Sequence, residues 1–238
     1  MTFCRMRQPI PFQYRINGKL ISRRNSMKDL GVTFDQKLNF HDHIITVTQE
    51  SFMRLGFVFR NTRDFHSVNI IQLVYRTLVR SKLEASSCVW NPYEVTYSLM
   101  LEKVQKAFLR FLYKRKLGYY PYLYPTAYLV GCLGYNTLET RRALDQATTL
   151  LKVSRGLIAN ELIRLYTPDN YIRSRNHRLL AVPACHTVVA RTAAPGPRVL
   201  KLFNHLVEAR PDCDLFTNRL EVLVQLLLQL CESSHNSV

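Results

Sequence analysis

The sequence predicts a mainly α-helical fold, in which short N-terminal strands form a β-hairpin and a multi-helix bundle follows. Two observations carry this prediction. Apolar and polar residues alternate around the Asn17-Gly18 pair, and beyond residue 39 the apolar residues recur at spacings of three and four. With 238 residues, 47% of them apolar, the chain has enough apolar material for a core, which excludes wholesale disorder.

The first 38 residues are typical of short strands. Asn17-Gly18 is the strongest hairpin signal, because both residues readily reach the positive φ angles of a two-residue turn. The apolar positions on either side, and in a second alternation, are Phe12, Tyr14, Ile16, Leu20, Ile21, Leu30, Val32 and Phe34. We predict two or three strands, which are too few to form a stable sheet without packing on something else.

Six helices are predicted after the strands. They cover about residues 39–60, 67–84, 95–116, 137–155, 161–166 and 212–231. Asn39 and Asp42 resemble a capping arrangement at the start of the first helix. The fourth helix is predicted to have a cap at its start, at Thr137, and Gly156 lies past its end. The inward positions of the first two helices are predicted to be Ile44, Val47, Phe52, Leu55, Phe59, Ile71, Val74, Tyr75 and Leu78. Residues 169–197 are predicted to form an irregular, exposed connection.

The helix predicted over residues 95–116 carries two stripes. Its apolar stripe consists of Tyr97, Leu101, Val104, Phe108, Phe111 and Leu112. Its basic stripe consists of Lys103, Lys106, Arg110 and Lys114. The basic residues span about 80° of the helix, nearly opposite the apolar ones. Because four stacked like charges repel each other, this stripe is either a solvated face or a face for phosphate groups.

Net charge favours a polyanionic partner. The chain has 33 Lys and Arg against 17 Asp and Glu, giving a formal charge of +16. The whole excess lies in residues 1–180, since residues 181–238 carry five of each sign. Such an uneven distribution of positive charge along the chain is typical of proteins that bind RNA, DNA or an RNA–DNA hybrid. A basic surface that serves solubility alone is the alternative.

Tyrosines are concentrated directly after the basic stripe. Residues 117–128 contain Tyr119, Tyr120, Tyr122, Tyr124 and Tyr128. Such rings stack on unpaired bases in some nucleic-acid-binding proteins, and in others they fold onto the core. We favour the core interpretation, because Pro121 and Pro125 make the segment stiff and easy to pack.

Several classes of protein are disfavoured by missing patterns. The longest apolar run, residues 222–230, is far shorter than the roughly 20 residues of a membrane span, and no secretory leader is recognisable. We therefore expect a protein that is not secreted and has no membrane partner. The pairs His41 with His43 and Cys185 with His186 lack further ligands at the usual spacing, so no metal site is predicted.

Short sequence phrases follow one another in an order that resembles a known family. They are residues 14–20 (YRINGKL), 28–32 (KDLGV), 38–40 (LNF), 55–57 (LGF), 104–106 (VQK), 138–139 (LE) and 141–142 (RR), with Trp90, Asp145, Arg198, 203–204 (FN) and 215–216 (LF). Together they resemble the C-terminal part of the reverse transcriptase of jockey-like non-long-terminal-repeat retrotransposons. The resemblance covers about residues 11–220.

The resemblance implies a division into three segments. Residues 1–38 would be a remnant of the palm, with Leu30, Gly31 and Val32 in a primer-grip-like hairpin. Residues 39–116 would be a thumb-like helical domain whose basic stripe contacts the template–primer duplex. Residues 117–238 would be the helical C-terminal region of the family. The missing palm and fingers of such a polymerase would then be partners. Because the family must reach chromosomal DNA, the resemblance also implies an intracellular location, nuclear or cytoplasmic.

The resemblance does not extend to catalysis. The family's polymerase holds two Mg²⁺ ions on an aromatic-Ala-Asp-Asp turn, and this chain contains no Asp-Asp pair. It also lacks a nucleophile elbow, a phosphate-cradling loop and an HExxH motif. We therefore expect a fragment that is not an enzyme, has no cofactor and binds nucleic acid non-specifically. A helical protein-interaction module, acting through the last helix, and a retroelement relic without function are the alternatives.

Overall fold

A computed structural model describes residues 1–3, 12–158, 195–211, 213 and 218–235 of the chain. The fold is mainly helical, with two short antiparallel hairpins before a helix bundle, which confirms the predicted fold class. The helix predicted over 161–166 and residues 169–194 of the predicted connection lie outside the described residues. Among the described helices, none is both long enough and apolar enough to cross a membrane.

The chain forms two compact units. The first contains residues 1–86 and 94–124, and the second contains residues 87–93 and 125–238. The strands and most of the helices of residues 39–116, predicted as separate segments, therefore lie in one unit. This unit also takes in residues 117–124 of the third predicted segment and excludes the short stretch 87–93.

Two hairpins open the first unit. Strand β1 (Arg15–Ile16) pairs with β2 (Lys19–Leu20), and the intervening Asn17-Gly18 turn has φ angles of 48° and 75°, as predicted. Strand β3 (Ser26–Asp29) pairs with β4 (Val32–Asp35). Leu30 was predicted in a strand, but this is wrong. Leu30 and Gly31, with φ angles of 45° and 85°, form a second left-handed turn, so the described residues contain four strands.

The start of helix α1 (His41–Asn61) is stabilised by a carboxylate at the end of strand β4, and its N-cap residue makes no side-chain capping hydrogen bond. The carboxylate of Asp35 accepts hydrogen bonds from the backbone N–H groups of Lys37 at 2.8 Å, Asn39 at 3.1 Å and Phe40 at 3.0 Å. The predicted cap at Asn39 is wrong, because the first flanking residue is Phe40, whose backbone is left-handed and whose side chain caps nothing. Asp35 thus joins the end of the second hairpin to the helix.

The inward face of α1 is mostly the predicted one. Ile44, Val47 and Leu55 are buried, whereas Phe52 is exposed, contrary to the prediction. The inward position in that turn belongs to Ser51, whose side chain is fully buried. Helical position, rather than the more apolar residue type, decided which of the two neighbours faces the core.

The second predicted helix is interrupted by a wider turn. Helix α2 (Val68–Tyr75) passes through a π-helical turn, Arg76–Arg80, into α3 (Ser81–Glu84). A π turn takes up about one extra residue, which moves every later side chain around the axis. For this reason Val79 is buried in place of the predicted Leu78, which is exposed.

The core of the first unit lies between α1, α2 and α5 (Val95–Leu117). Four members of the predicted apolar stripe are buried in it: Leu101, Val104, Phe108 and Leu112. The ring of Phe108 stacks on Tyr75 with centroids 3.7 Å apart and planes 4° apart. The remaining stripe residues lie at the margin, where Phe111 contacts Phe59 at 4.4 Å.

In the described residues, the second unit contains short and long helices around a leucine-rich core. They are α4 (Ser87–Trp90), α6 (Thr126–Cys132), α7 (Leu138–Ser154), α8 (Pro195–Ala209) and α9 (Leu220–His235). The Thr137 hydroxyl caps α7 by accepting from the Thr140 N–H at 3.1 Å, and Gly156 follows with φ 68°, as predicted. Helices α6 and α8 were not predicted. Leu223 and Leu227 of α9 are buried among α7 and α8.

A partly buried polar network holds residues 87–93 to α7 and α8. The Asn91 amide donates to Gln146 at 3.0 Å and accepts from Nε of the fully buried Arg142 at 3.0 Å. The backbone oxygen of Asn91 accepts from Arg198 at 3.1 Å. Nearby, the Ser87 hydroxyl donates to Asp145 at 2.8 Å. Asn91 is the residue common to most of these bonds.

We expect Asn91→Leu to destabilise the second unit by about 2–4 kcal/mol, because Arg142 then loses a partner inside a desolvated site. The loss is measured by thermal unfolding followed through Trp90, the only tryptophan and itself buried beside Asn91. Asn91→Asp keeps an acceptor for Arg142 and should recover part of the stability. Unchanged unfolding of Asn91→Leu would contradict a structural role for the network.

His43 links α1 to the second hairpin. This buried imidazole accepts a hydrogen bond at Nδ1 from the Thr33 backbone N–H, at 3.2 Å. Only the neutral ring can accept at this nitrogen. Burial, with smaller contributions from Lys82 and Lys28, lowers the pKa of His43 from its ordinary value of 6.5.

A lowered folded-state pKa means that the unfolded chain takes up the proton first. The stabilising contribution of neutral His43 should therefore be complete above pH 6.5 and fall as the pH drops toward the folded-state pKa, by at most about 1.4 kcal/mol per pH unit. Urea unfolding at pH 7.5 and 5.5 measures this loss. His43→Asn places a non-titrating acceptor near the same position, so the variant should lose less stability on acidification. Equal losses would contradict the assignment.

Candidate nucleic-acid interface

The basic stripe lies on the face of α5 opposite the core. Lys103, Lys106 and Lys114 are exposed, and none of them forms an ion pair with any residue that the structure describes. At 1.5 Å per residue the stripe is about 16 Å long, comparable to about five phosphates along one strand of a duplex. Three unpaired ammonium groups in a row attract phosphate and repel one another, so they suit binding better than stability.

Arg110, the fourth member of the stripe, has a different environment. It is half-buried, and its guanidinium carbon lies 6.0 Å from the centre of the Tyr120 ring. This is the range of a cation–π contact, which holds the ring against the helix. Arg110 therefore connects the basic stripe to the tyrosine segment.

Arg115 is basic but does not belong to the stripe. Its guanidinium donates to the backbone oxygens of Thr62, at 2.7 Å, and Arg63, at the end of α1. It also lies over Phe111, with its central carbon 5.6 Å from the ring centre. A cation at a helix C-terminus satisfies carbonyls that have no intrahelical partner. Arg115 thus fastens α1 to α5 and positions the stripe.

The tyrosine loop, residues 118–124, begins with a reversal of the chain at Gly118. Its φ of 84° is left-handed, which a glycine adopts without strain, and its N–H donates to the Lys114 oxygen at 2.9 Å. The reversal returns Tyr119 to α5, where its hydroxyl lies 2.7 Å from that of Tyr113. The loop therefore folds back along the end of the helix.

Pro121 shapes the tip of the tyrosine loop. It is buried, and the N–H of Tyr122 donates to the oxygen of Tyr120 at 3.0 Å in a three-residue turn. The Tyr120 and Tyr122 rings lie 4.6 Å apart as a result. Tyr122 is 78% exposed and Leu123 94% exposed. The core interpretation of residues 117–128 is wrong, since all five tyrosines of that segment are exposed.

The primer-grip-like residues lie elsewhere in the first unit. Leu30, 95% exposed, and Gly31 form the tip of the second hairpin, whereas Val32 is buried where β4 meets α1. No hydrogen bond, ion pair or ring contact in the described part of the chain joins these three residues to the stripe. The structure thus brings Lys103, Lys106, Arg110 and Lys114 together with the tyrosine loop, and leaves the hairpin tip separate.

Histidines and acids form no metal-binding group among the described residues. Of the two pairs considered in the sequence, His41 contacts Glu94 at 3.0 Å and stacks on Tyr97, while His43 contacts Thr33. Cys185 and His186 lie outside the part of the chain that the structure describes.

Comparison with protein-family models, with curated proteins and with solved structures finds no match to this chain.

We expect Arg115→Gln to lower the free energy of unfolding of the first unit by about 1–2 kcal/mol, because two carbonyls at the end of α1 lose a charged donor. Lys116→Gln, the neighbouring exposed change, removes the same charge and should have little effect. Urea unfolding followed by circular dichroism compares the two. Equal effects would mean that Arg115 acts through charge alone.

Proposed function

We propose that the first unit binds nucleic acid without sequence preference through the basic face of α5. The observation that carries the proposal is the row formed by Lys103, Lys106 and Lys114, exposed and without ion pairs among the described residues. Such a row contacts phosphates, which are the same for every sequence. It recognises RNA, DNA or an RNA–DNA hybrid by charge and spacing alone.

The order of the sequence phrases supports a more specific version of this proposal. In it, the chain derives from a jockey-like reverse transcriptase, and the bundle of α1, α2 and α5 has a thumb-like role on the template–primer. The second hairpin, with Leu30, Gly31 and Val32, contacts the primer or the missing palm. No catalytic step belongs to this chain, because the sequence lacks the Asp-Asp pair of such polymerases. Mg²⁺ is a cofactor of the full-length polymerase alone.

The alternative of a protein-interaction module finds less support. It relies on the last helix as a partner surface, and the central leucines of α9, Leu223 and Leu227, are buried within the second unit. A chain without selected function remains a hypothesis, which binding at physiological salt would argue against. An intracellular location, nuclear or cytoplasmic, goes with the nucleic-acid partner proposed here.

The proposal is tested by measuring affinity for an RNA–DNA hybrid between about 50 and 200 mM salt. With about six phosphate contacts, log K should fall with log salt at a slope near −4 to −5. The triple variant Lys103→Gln, Lys106→Gln and Lys114→Gln should bind more weakly and flatten this slope by about 2 to 3, because each lost contact releases about one counterion fewer.

A control separates the stripe from net charge. Lys201→Gln, Arg210→Gln and Arg219→Gln remove three exposed charges from the second unit and should leave the slope nearly unchanged. If the stripe variant and this control behave alike, α5 is not the interface. If the unaltered protein binds no nucleic acid at low salt, the proposed function is wrong.

A further inference from the structure

We propose that the tyrosine loop is a stacking platform for unpaired bases, so that the interface takes single-stranded nucleic acid, with bases on the loop and phosphates on α5. The inference rests on the proposed function and names the form of nucleic acid that this site binds. Tyr120 and Tyr122 are the stacking residues. The preceding Arg110, Lys114 and Gly118 position the platform beside the charges.

The exposure of the loop tip is the first argument. Tyr122 and Leu123 leave most of their apolar surface in water, although burying such side chains would stabilise the fold. Their neighbour Pro121 is buried, so the loop is anchored while its large side chains point outward. An anchored loop that presents apolar surface is typical of a binding site.

The second argument is that the rings are held in place before any ligand arrives. Tyr119 is fixed through its hydroxyl to Tyr113, and Tyr120 is held by the guanidinium of Arg110. The turn at Pro121 keeps Tyr122 beside Tyr120, with an angle of 57° between their planes. These contacts remove part of the rotational freedom of the rings before binding, which favours affinity.

The third argument is the position of the charges relative to the rings. Arg110 contacts Tyr120 directly, and Lys114 lies one helical turn further along the same face, about 6 Å away along the axis. A strand whose phosphates follow the lysines therefore brings its bases to the rings. Basic grooves with stacking aromatics bind single strands without sequence preference.

Single strands are favoured over duplexes because only a single strand exposes the faces of its bases to a tyrosine ring. In a duplex the base faces are stacked on one another, so only groove edges and phosphates are accessible. In a single strand the faces are open. The lysines alone would bind both forms, whereas the tyrosine loop adds affinity for the open form only.

The experiment compares two single-stranded probes of equal charge, oligothymidylate and an abasic oligonucleotide, each roughly 20 nucleotides long so that it exceeds one site. Fluorescence anisotropy at fixed salt gives both affinities. We expect oligothymidylate to bind at least about fivefold more tightly, since each stacked base contributes about that factor or more. Equal binding of the two probes would overturn the inference while leaving the proposed function intact.

Variants assign the preference to the loop. Tyr120→Leu with Tyr122→Leu should bring oligothymidylate binding close to that of the abasic probe without changing the salt slope. Tyr120→Phe with Tyr122→Phe keeps the rings and should keep the preference, so that a folding defect is separated from a loss of stacking. Tyr14→Leu, an exposed change in the first hairpin, should have no effect. A persistent preference in the leucine variant would overturn the assignment, and absence of binding to every probe would refute the proposed function as well.

Discussion

The packing of α5 against α1 and α2 is the constraint on which the proposed interface depends. Phe108 stacks on Tyr75, and with its neighbours along the apolar stripe it fixes the rotation of α5 about its axis. Because a helix has one rigid backbone, burying one face determines what the opposite face presents. The lysines are exposed as a consequence of this apolar packing, and their mutual repulsion is tolerated because the core determines the position of the helix.

The formal net charge is larger than the positive charge that is available at the surface to bind a polyanion. Arg115 donates hydrogen bonds to carbonyl oxygens at the end of α1. Inside the second unit, Arg142 and Arg198 donate hydrogen bonds to the amide and carbonyl oxygens of Asn91. Two of these arginines, with Asp145, are also among the residues that resemble the reverse transcriptase family. In this chain they lie around residues 87–93, so part of that resemblance coincides with a buried structural network.

Sequence patterns predicted the features that depend on neighbours along the chain. The Asn17-Gly18 hairpin, the two stripes of α5 and the Thr137 cap follow from local rules of turn, period and hydrogen bonding. Leu78 was misplaced because nothing in the local pattern reveals a π turn, and α8 was missed because Pro195, Gly196 and Pro197 mask its start. The basic stripe of α5 could be predicted from the spacing of its residues along the sequence. The exposure of the tyrosines could not, since it results from the reversal at Gly118 and the burial of Pro121.

The assignment of residues 87–93 to the second unit has a consequence for how the protein is made and dissected. The chain leaves the first unit after residue 86, returns to it at residue 94, and leaves again after residue 124. Cleavage of the chain at one position therefore does not separate the units. Neither unit is synthesised as one continuous segment of the chain. The side chain of Asn91 gains its partners Arg142 and Gln146 only when α7 has been synthesised, after the whole of the first unit. Truncation at residue 124 would leave residues 87–93 without the α7 and α8 residues that pair with their polar groups, so the second unit depends on a segment that interrupts the first.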